Sequence, residues 1–327
     1  MKESVADKMT KTKELVAQEK KVKEVNTRIA YAKAMASEAA FSEASAITDE
    51  TNIMDIFCKR DALQSLKKLN SKSKKGVTFI HPDFDKFFKL EPGMLVAVLG
   101  YTGGGKTTSA ANIAATVIQA GKKVAVFSNE ESSDKYRLEV VSLLGNTSSY
   151  KLRNATQQSD LEAYTEASQQ LQDYDFNVAD SSTSGGVTMN ATSILKSLDL
   201  LNRQSKADRP DVVIIDYLQN ITMSGLGAGF DTSQQYSLLE NFCISLKNLV
   251  NTLNFSVIVM AQCHSDDKRK GDAADSKIIM GASLLRNSMK VVEVRANHKN
   301  SSTAFSISKN RDGNGHAKIS LTFKNGR

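Results

Sequence analysis

From residue 76 onward the chain is punctuated by short apolar runs, at Leu95–Leu99, Val124–Phe127, Val212–Ile215, Val257–Met260, Val291–Val294 and Ala304–Ile307. Between the first four lie longer stretches in which apolar residues recur at three- and four-residue spacing. The short runs suit strands and the spaced stretches suit helices, so their alternation predicts an α/β fold, a mostly parallel sheet covered by helices. From Val291 to Phe323 the strand signals crowd together, and Arg311–Gly315 (RDGNG) separates two of them. That spacing predicts an antiparallel hairpin finishing the sheet. Before residue 66 there is neither proline nor glycine, Lys, Glu and Ala abound, and apolar residues such as Val5, Met9, Val16, Val22, Ile29 and Met35 are scattered. This is the pattern of a helical, charged extension with a thin apolar stripe. Such a stripe buries too little surface to fold alone, so the extension either packs on something else or is partly disordered. Lys67–Lys75 (KKLNSKSKK) is a lysine-rich linker, either a solvated tether or a DNA-contacting patch. The expected organisation is therefore an extension and linker over 1–75 and one large domain over 76–327.

Composition narrows the setting. The three cysteines, Cys58, Cys243 and Cys263, are far apart and lack zinc-site spacing, which suits a reducing, cytoplasmic compartment. The longest apolar runs are strand-sized and the amino terminus is alternately charged, so neither a membrane span nor a signal peptide is expected. Net charge is +7, concentrated at the front, where residues 1–75 hold 16 basic against 11 acidic side chains. A balance of this size is compatible with nucleic-acid binding and equally with an ordinary solvated surface.

The most specific chemistry lies in Gly100–Thr107, GYTGGGKT, which follows an apolar strand and opens a helix. It fits the phosphate-loop pattern of Gly, four residues, Gly, Lys, then Ser or Thr. Gly103, Gly104 and Gly105 let the backbone turn successive amides inward, where they and the helix amino terminus can cradle phosphate oxygens. Lys106 would reach the β- and γ-phosphates of ATP and the Thr107 hydroxyl would ligate Mg2+. The nucleotide-binding stretch is thus Gly100, Tyr101, Thr102, Gly103, Gly104, Gly105, Lys106, Thr107 and Thr108. The helix that follows has Ala110, Ile113, Ala114, Val117 and Ile118 on one face and Gly121 as its carboxyl-terminal stop. A second metal-organising carboxylate is expected in Asp211–Asn220 (DVVIIDYLQN), an apolar strand ending in Asp216, the form of a Walker B aspartate. Glu130 and Glu131 close the strand after the phosphate-loop helix and face the same crevice.

The order of these segments from Gly76 to Phe323 resembles the ATPase domain of the bacterial and phage replicative DNA helicases, the DnaB family of RecA-like ATPases. GVTFIHPDFDKFFKLEPGMLVAVLG resembles the family's lead-in to its phosphate loop, VAVFSNEES its strand ending in Phe-Ser-x-Glu, and VVIIDYLQNI its most specific motif. The resemblance implies that Glu130 is the catalytic glutamate that activates water. VIVMAQCHSD is similar to the strand whose glutamine senses the γ-phosphate, which implies that role for Gln262; by itself Gln262 could equally be a satisfied core amide. FSISKNRDGNGHAKISLTF resembles the terminal hairpin that reaches a neighbouring subunit's nucleotide, which implies that Lys309 and Arg311 act there. Alone, these two would read as a solvated hairpin edge, although their alternation puts both on one face.

The resemblance further implies a homo-oligomer, a hexameric ring, that translocates 5′ to 3′ on single-stranded DNA and unwinds duplex, with a primase or a helicase loader as partner. The extension would correspond to a helix that docks onto a neighbouring subunit. Segments after Asp216 and Gln262 would line the channel, with Gly225 and Gly227 approaching DNA phosphates and Lys268, Arg269 and Lys270 contacting them by charge. Those three share their loop with Asp266, Asp267, Asp272 and Asp275, so a solvated mixed-charge loop is the competing reading. GASLLRNSM at Gly281–Met289 and CHSDDKRKGDAADSK after Gln262 depart from the family pattern, as a phage-type or divergent member would. The alternatives to a helicase are a RecA-like recombinase or recombination mediator, and a regulatory, helicase-associated ATPase.

Overall fold

The computed structural model describes residue 71 and residues 76–153, 158–172, 176–180, 189–223, 232–263, 282–297, 299–311, 313 and 317–322. The expected helical extension and, apart from Ser71, the lysine-rich linker lie outside the described residues. The elements, in chain order, are a 3-10 helix Pro82–Lys86, β1 Leu95–Gly100, α1 Lys106–Gln119, β2 Val124–Ser128, α2 Ser133–Leu144, α3 Ser149–Arg153, α4 Gln158–Gln172 and β3 Phe176–Ala179. There follow α5 Ala191–Arg203, β4 Val212–Asp216, α6 Leu218–Met223, α7 Thr232–Val250, β5 Ser256–Gln262, α8 Ala282–Asn287, β6 Lys290–Asn297, β7 Ser302–Asn310 and β8 Ala317–Thr322.

One eight-stranded sheet runs β3-β2-β4-β5-β1-β6-β7-β8. Pairings from β3 to β6 are parallel and β6-β7-β8 are antiparallel, as the crowded strand signals predict. Parallel strands need covering on both faces, which is why their sequences are continuous apolar runs rather than alternating ones. In β1, Val96 and Val98 pack with Ile113 of α1 and Val140 of α2, while Leu95, Ala97 and Leu99 pack with Leu198 of α5 and Leu246 of α7. The alanines of α1 bury more of that helix than its predicted face: Ala111 and Ala115 are covered as completely as Ile113 and Val117.

The lead-in segment belongs to the first of these layers. Val77 and Leu90 exchange backbone hydrogen bonds of 2.9 and 2.7 Å. Phe79, Phe84 and Phe88 form an aromatic cluster, and the Phe84 ring meets Phe305 of β7 edge-on at 5.7 Å. Each such buried ring contributes about 1.5–3 kcal/mol, so the segment is held firmly to the sheet.

The register delivers the chemistry to one edge. Gly100 sits opposite Gln262 and Ser128 opposite Asp216, so β1, β5, β2 and β4 all end together. That is the carboxyl edge of a parallel sheet, where α/β folds place their sites.

Candidate functional site

The phosphate loop closes on itself around glycines. Gly105 caps α1 at φ 87°, a left-handed conformation that a side chain resists. A Cβ on Gly104 would stand 2.8 Å from the Tyr101 carbonyl oxygen, which receives the Gly104 amide. Helix α1 has no side-chain cap, whereas α2 is capped by Ser132 and α5 by Asn190 with a reciprocal Ser193 bond. Its first amides and the positive end of its dipole are therefore left for an anion. Tyr101 is buried, and Thr102 and Thr108 are exposed on either side of the loop.

Lys106 lies folded under the loop with Nζ donating 3.0 Å to the Tyr101 carbonyl. Burial lowers its pKa, and the nearby Glu130 and Asp216 charges partly offset that. Thr107 donates to Glu130 Oε2 at 3.5 Å, which brings a residue of α1 and a residue after β2 together across the mouth. Glu131 points elsewhere: it is ion-paired with Lys135, and its backbone is clasped by Ser128. The two adjacent acids are thus in different situations, one paired on the helix flank and one exposed beside the loop.

Asp216 is fully buried, and neither carboxylate oxygen has a hydrogen-bond partner. Burial pushes its pKa up to about 7, Glu130 adds to the rise, and Thr107 and Lys106 oppose it; Thr107 is near enough to be felt without completing a bond. A bare carboxylate in such a place calls for a cation. No group of three or more His, Cys, Asp or Glu among the described residues could hold a metal alone. One carboxylate with one hydroxyl suits Mg2+, which takes few protein ligands and completes its shell with phosphates and water.

The raised pKa sets an expectation for stability. Asp216 ionises more readily in the unfolded chain, so its contribution is harmless below the ordinary aspartate range near pH 4 and becomes a penalty as pH rises through about 7. In metal- and nucleotide-free protein, Asp216→Asn is therefore expected to be stabilising at pH 8, on the order of a few kcal/mol, and neutral near pH 3. Urea unfolding at the two pH values reads this directly. Equal effects at both would show that the carboxylate is not the strained group.

Gln262 ends β5 with Nε2 donating to Thr102 Oγ1 at 2.6 Å, a side-chain bridge from the sheet to the phosphate loop. Gln219 of α6 holds it there, donating to the Gln262 carbonyl and accepting from its amide, both at 3.1 Å. Gln219 stands in the DYLQ motif, but nothing in its spacing marks it for this role. Nor does any motif mark Arg295, whose guanidinium lies 5.8 Å from the Tyr101 ring, one strand from the loop.

Lys309 and Arg311 come together away from that mouth. Lys309 Nζ donates to the Leu285 and Arg286 carbonyls at 2.6 and 3.1 Å, and Arg311 donates to the Arg286 carbonyl at 2.7 Å. Both cations rest on the carboxyl end of α8, where a helix attracts positive charge. Burial lowers the Lys309 pKa, and Arg311 and Lys247 add to that. Gly225, Gly227, Lys268, Arg269 and Lys270 lie outside the described residues.

An uncapped helix behind a glycine loop, a buried strand-end carboxylate, an exposed glutamate and a strand-end glutamine, all on the carboxyl edge of one parallel sheet, define a RecA-like P-loop ATPase. Residues 76–326 match the family described as DnaB-like helicase C terminal domain. The chain belongs to that family, and it is a DnaB-like helicase. Among solved structures, its fold is similar to a DnaB-like replicative helicase described with its interactions with primase. That match has a TM-score of 0.67 and 17% identity over 99% of this chain and 79% of the other. It is similar also to a second solved structure, described as an ATPase domain, at a TM-score of 0.67 and 16% identity over 85% of this chain and 98% of that one. Comparison with curated proteins returns no significant match. Among the described residues no helix is long and apolar enough to cross a membrane.

Proposed function

We propose that the carboxyl edge of the sheet binds ATP with Mg2+ and hydrolyses it to drive a hexameric ring along single-stranded DNA. The observation that carries the reading is Asp216, a buried carboxylate with no partner, set beside Thr107 at the mouth of an uncapped phosphate-binding helix. The loop amides from Gly100 to Thr108 and Lys106 hold the triphosphate, and Lys106 leaves the Tyr101 carbonyl for the β- and γ-phosphates. Thr107 and Asp216 hold the metal, which when bound neutralises charge on the transferred phosphoryl group. Glu130, exposed and unburdened by the ion pair that occupies Glu131, takes a proton from the attacking water as the γ-phosphorus parts from the bridging oxygen. Gln262, fixed by Gln219, exchanges its Thr102 partner for the γ-phosphate and so passes nucleotide state to the segment that follows β5. Lys309 and Arg311 serve the nucleotide of the next subunit. Single-stranded DNA runs past Gly225, Gly227, Lys268, Arg269 and Lys270, in the 5′ to 3′ direction implied by the family resemblance, within a cytoplasmic replication assembly that includes a primase or a loading protein.

Imaging with a non-hydrolysable ATP analogue and single-stranded DNA tests the assembly, with a closed six-membered ring as the expected result. A filament would instead support a recombinase. Neutralising Lys268, Arg269 and Lys270 together is expected to weaken single-strand binding and flatten its salt dependence, by up to about 0.7 in log–log slope per lost phosphate contact. Basal nucleotide binding should be unaffected. An unchanged slope would put these residues on a solvated surface.

A further inference from the structure

The amino edge of the sheet, away from the phosphate loop, carries charge of its own. There β2, β4 and β5 begin side by side, with Val124 opposite Val212 and Val212 opposite Ser256. The turns that lead into these strands, together with Ser71 and Val77, enclose a hollow of about 690 Å³. Four cations line it, Lys122 and Lys123 before β2 and Lys206 and Arg209 before β4, against one carboxylate, Asp211. Asp211 is occupied by the turn itself: it accepts the Lys123 amide at 3.0 Å and stands 3.6 Å from Lys122 Nζ. The Lys123 ammonium is held by the Ala207 carbonyl. Arg209 donates to the Asn202 carbonyl at 3.4 Å; a guanidinium has five N–H donors, so this bond orients the group without exhausting it. Lys206 is exposed. Beside them Asn251 lines the hollow with its side-chain oxygen taken by Lys247 at 2.9 Å, which leaves its amide N–H groups as donors.

We propose that this hollow binds the sugar–phosphate backbone of duplex DNA without reading its sequence. Cations and amide donors are the groups that contact phosphate and sugar oxygens, and they carry no base information. From β2 to β5 the edge spans two strand spacings, about 10 Å, the axial length of about three successive phosphates of one DNA strand. Ser71 and Val77 both line the hollow, and Lys72, Lys74 and Lys75 fall between them in sequence, each within three residues of one or the other. Connectivity alone keeps their charge within about 11 Å of a lining residue. A field of that extent suits a long polyanion better than one small ion. Among the described residues no aromatic side chain lines the hollow. Sites for single strands combine cations with aromatic rings on which bases stack, whereas in a duplex the bases already stack on one another and the phosphates are what is offered.

The test is fluorescence anisotropy of the full-length protein with a non-hydrolysable ATP analogue, over a range of salt. The probes are a labelled blunt-ended duplex, a labelled single strand of the same sequence and labelled polyglutamate. Replacing Lys122, Lys206 and Arg209 together by Gln is expected to weaken duplex binding and to flatten its log–log salt dependence by about 0.9 per lost phosphate contact. Analogue affinity and single-strand affinity should stay at the wild-type level. Asp211→Asn keeps an acceptor for the Lys123 amide and releases Lys122, so it should steepen the duplex slope by up to about 0.9. An unchanged duplex slope in the folded triple variant overturns the proposal, as does an unchanged slope in Asp211→Asn if the triple variant does not fold. An equal loss for single strand and duplex overturns the duplex assignment. A loss confined to polyglutamate overturns the proposal in favour of an acidic protein partner.

Discussion

Replacing Glu130 by Gln is expected to leave nucleotide binding near its wild-type level while hydrolysis falls by about 10²- to 10⁴-fold, the usual cost of losing a general base. The substitution keeps the shape beside Thr107 and removes only the capacity to take a proton. Lys106→Ala should fail earlier, at binding, because the ammonium folded beneath the loop is the charge nearest the phosphates in this reading. Equilibrium binding of a fluorescent ATP analogue set against single-turnover hydrolysis separates the two defects. Normal hydrolysis by Glu130→Gln would move the base to another residue, with Glu131 next in line once its ion pair with Lys135 is released.

Arg311→Ala is expected to bind ATP almost normally and to lose turnover by about 10³- to 10⁵-fold, the range over which an arginine supplied to a transferring phosphoryl group acts. In the isolated chain Arg311 is occupied by the carboxyl end of α8, turned from its own phosphate loop. A site completed by a neighbour predicts that wild-type activity per subunit falls as the protein is diluted below its association range. It also predicts that Arg311→Ala and Glu130→Gln proteins, each inactive, recover partial ATPase activity when mixed, since some junctions then hold both groups. A wild-type monomer at full activity would falsify the trans arrangement.

Much of this was legible in the chain because apolar runs, glycine loop and strand-end acids each carry a local physical signature. The six strands read from those runs are present, and the terminal hairpin lies where RDGNG turns the chain. β3 was not foreseen: Phe176–Ala179 is four residues long, half-covered, and gains its identity only by pairing with β2. Nor does spacing reveal where Lys309 goes. Phe305 and Ile307 face the α1 layer, and strict alternation would send Lys309 after them, but the register slips opposite Val291/Val292 and the lysine emerges on the α8 side. Gln219 escaped notice because its role is to hold the backbone of a residue 43 positions away. The unpaired state of Asp216 and Tyr136 is likewise a property of packing, which no motif records.

The order of strands also decides who suffers from a defective copy. Glu130 follows β2 and Arg311 follows β7, with β4, β5, β1 and β6 between them, a separation of about 24 Å at the usual strand spacing. Under the trans arrangement proposed above, a subunit that lacks Glu130 would spoil its own junction, and one that lacks Arg311 would spoil its neighbour's. In either case one faulty copy costs one junction that it shares with an intact partner, so activity in mixed assemblies should fall in proportion to the faulty copies, whichever of the two groups they lack.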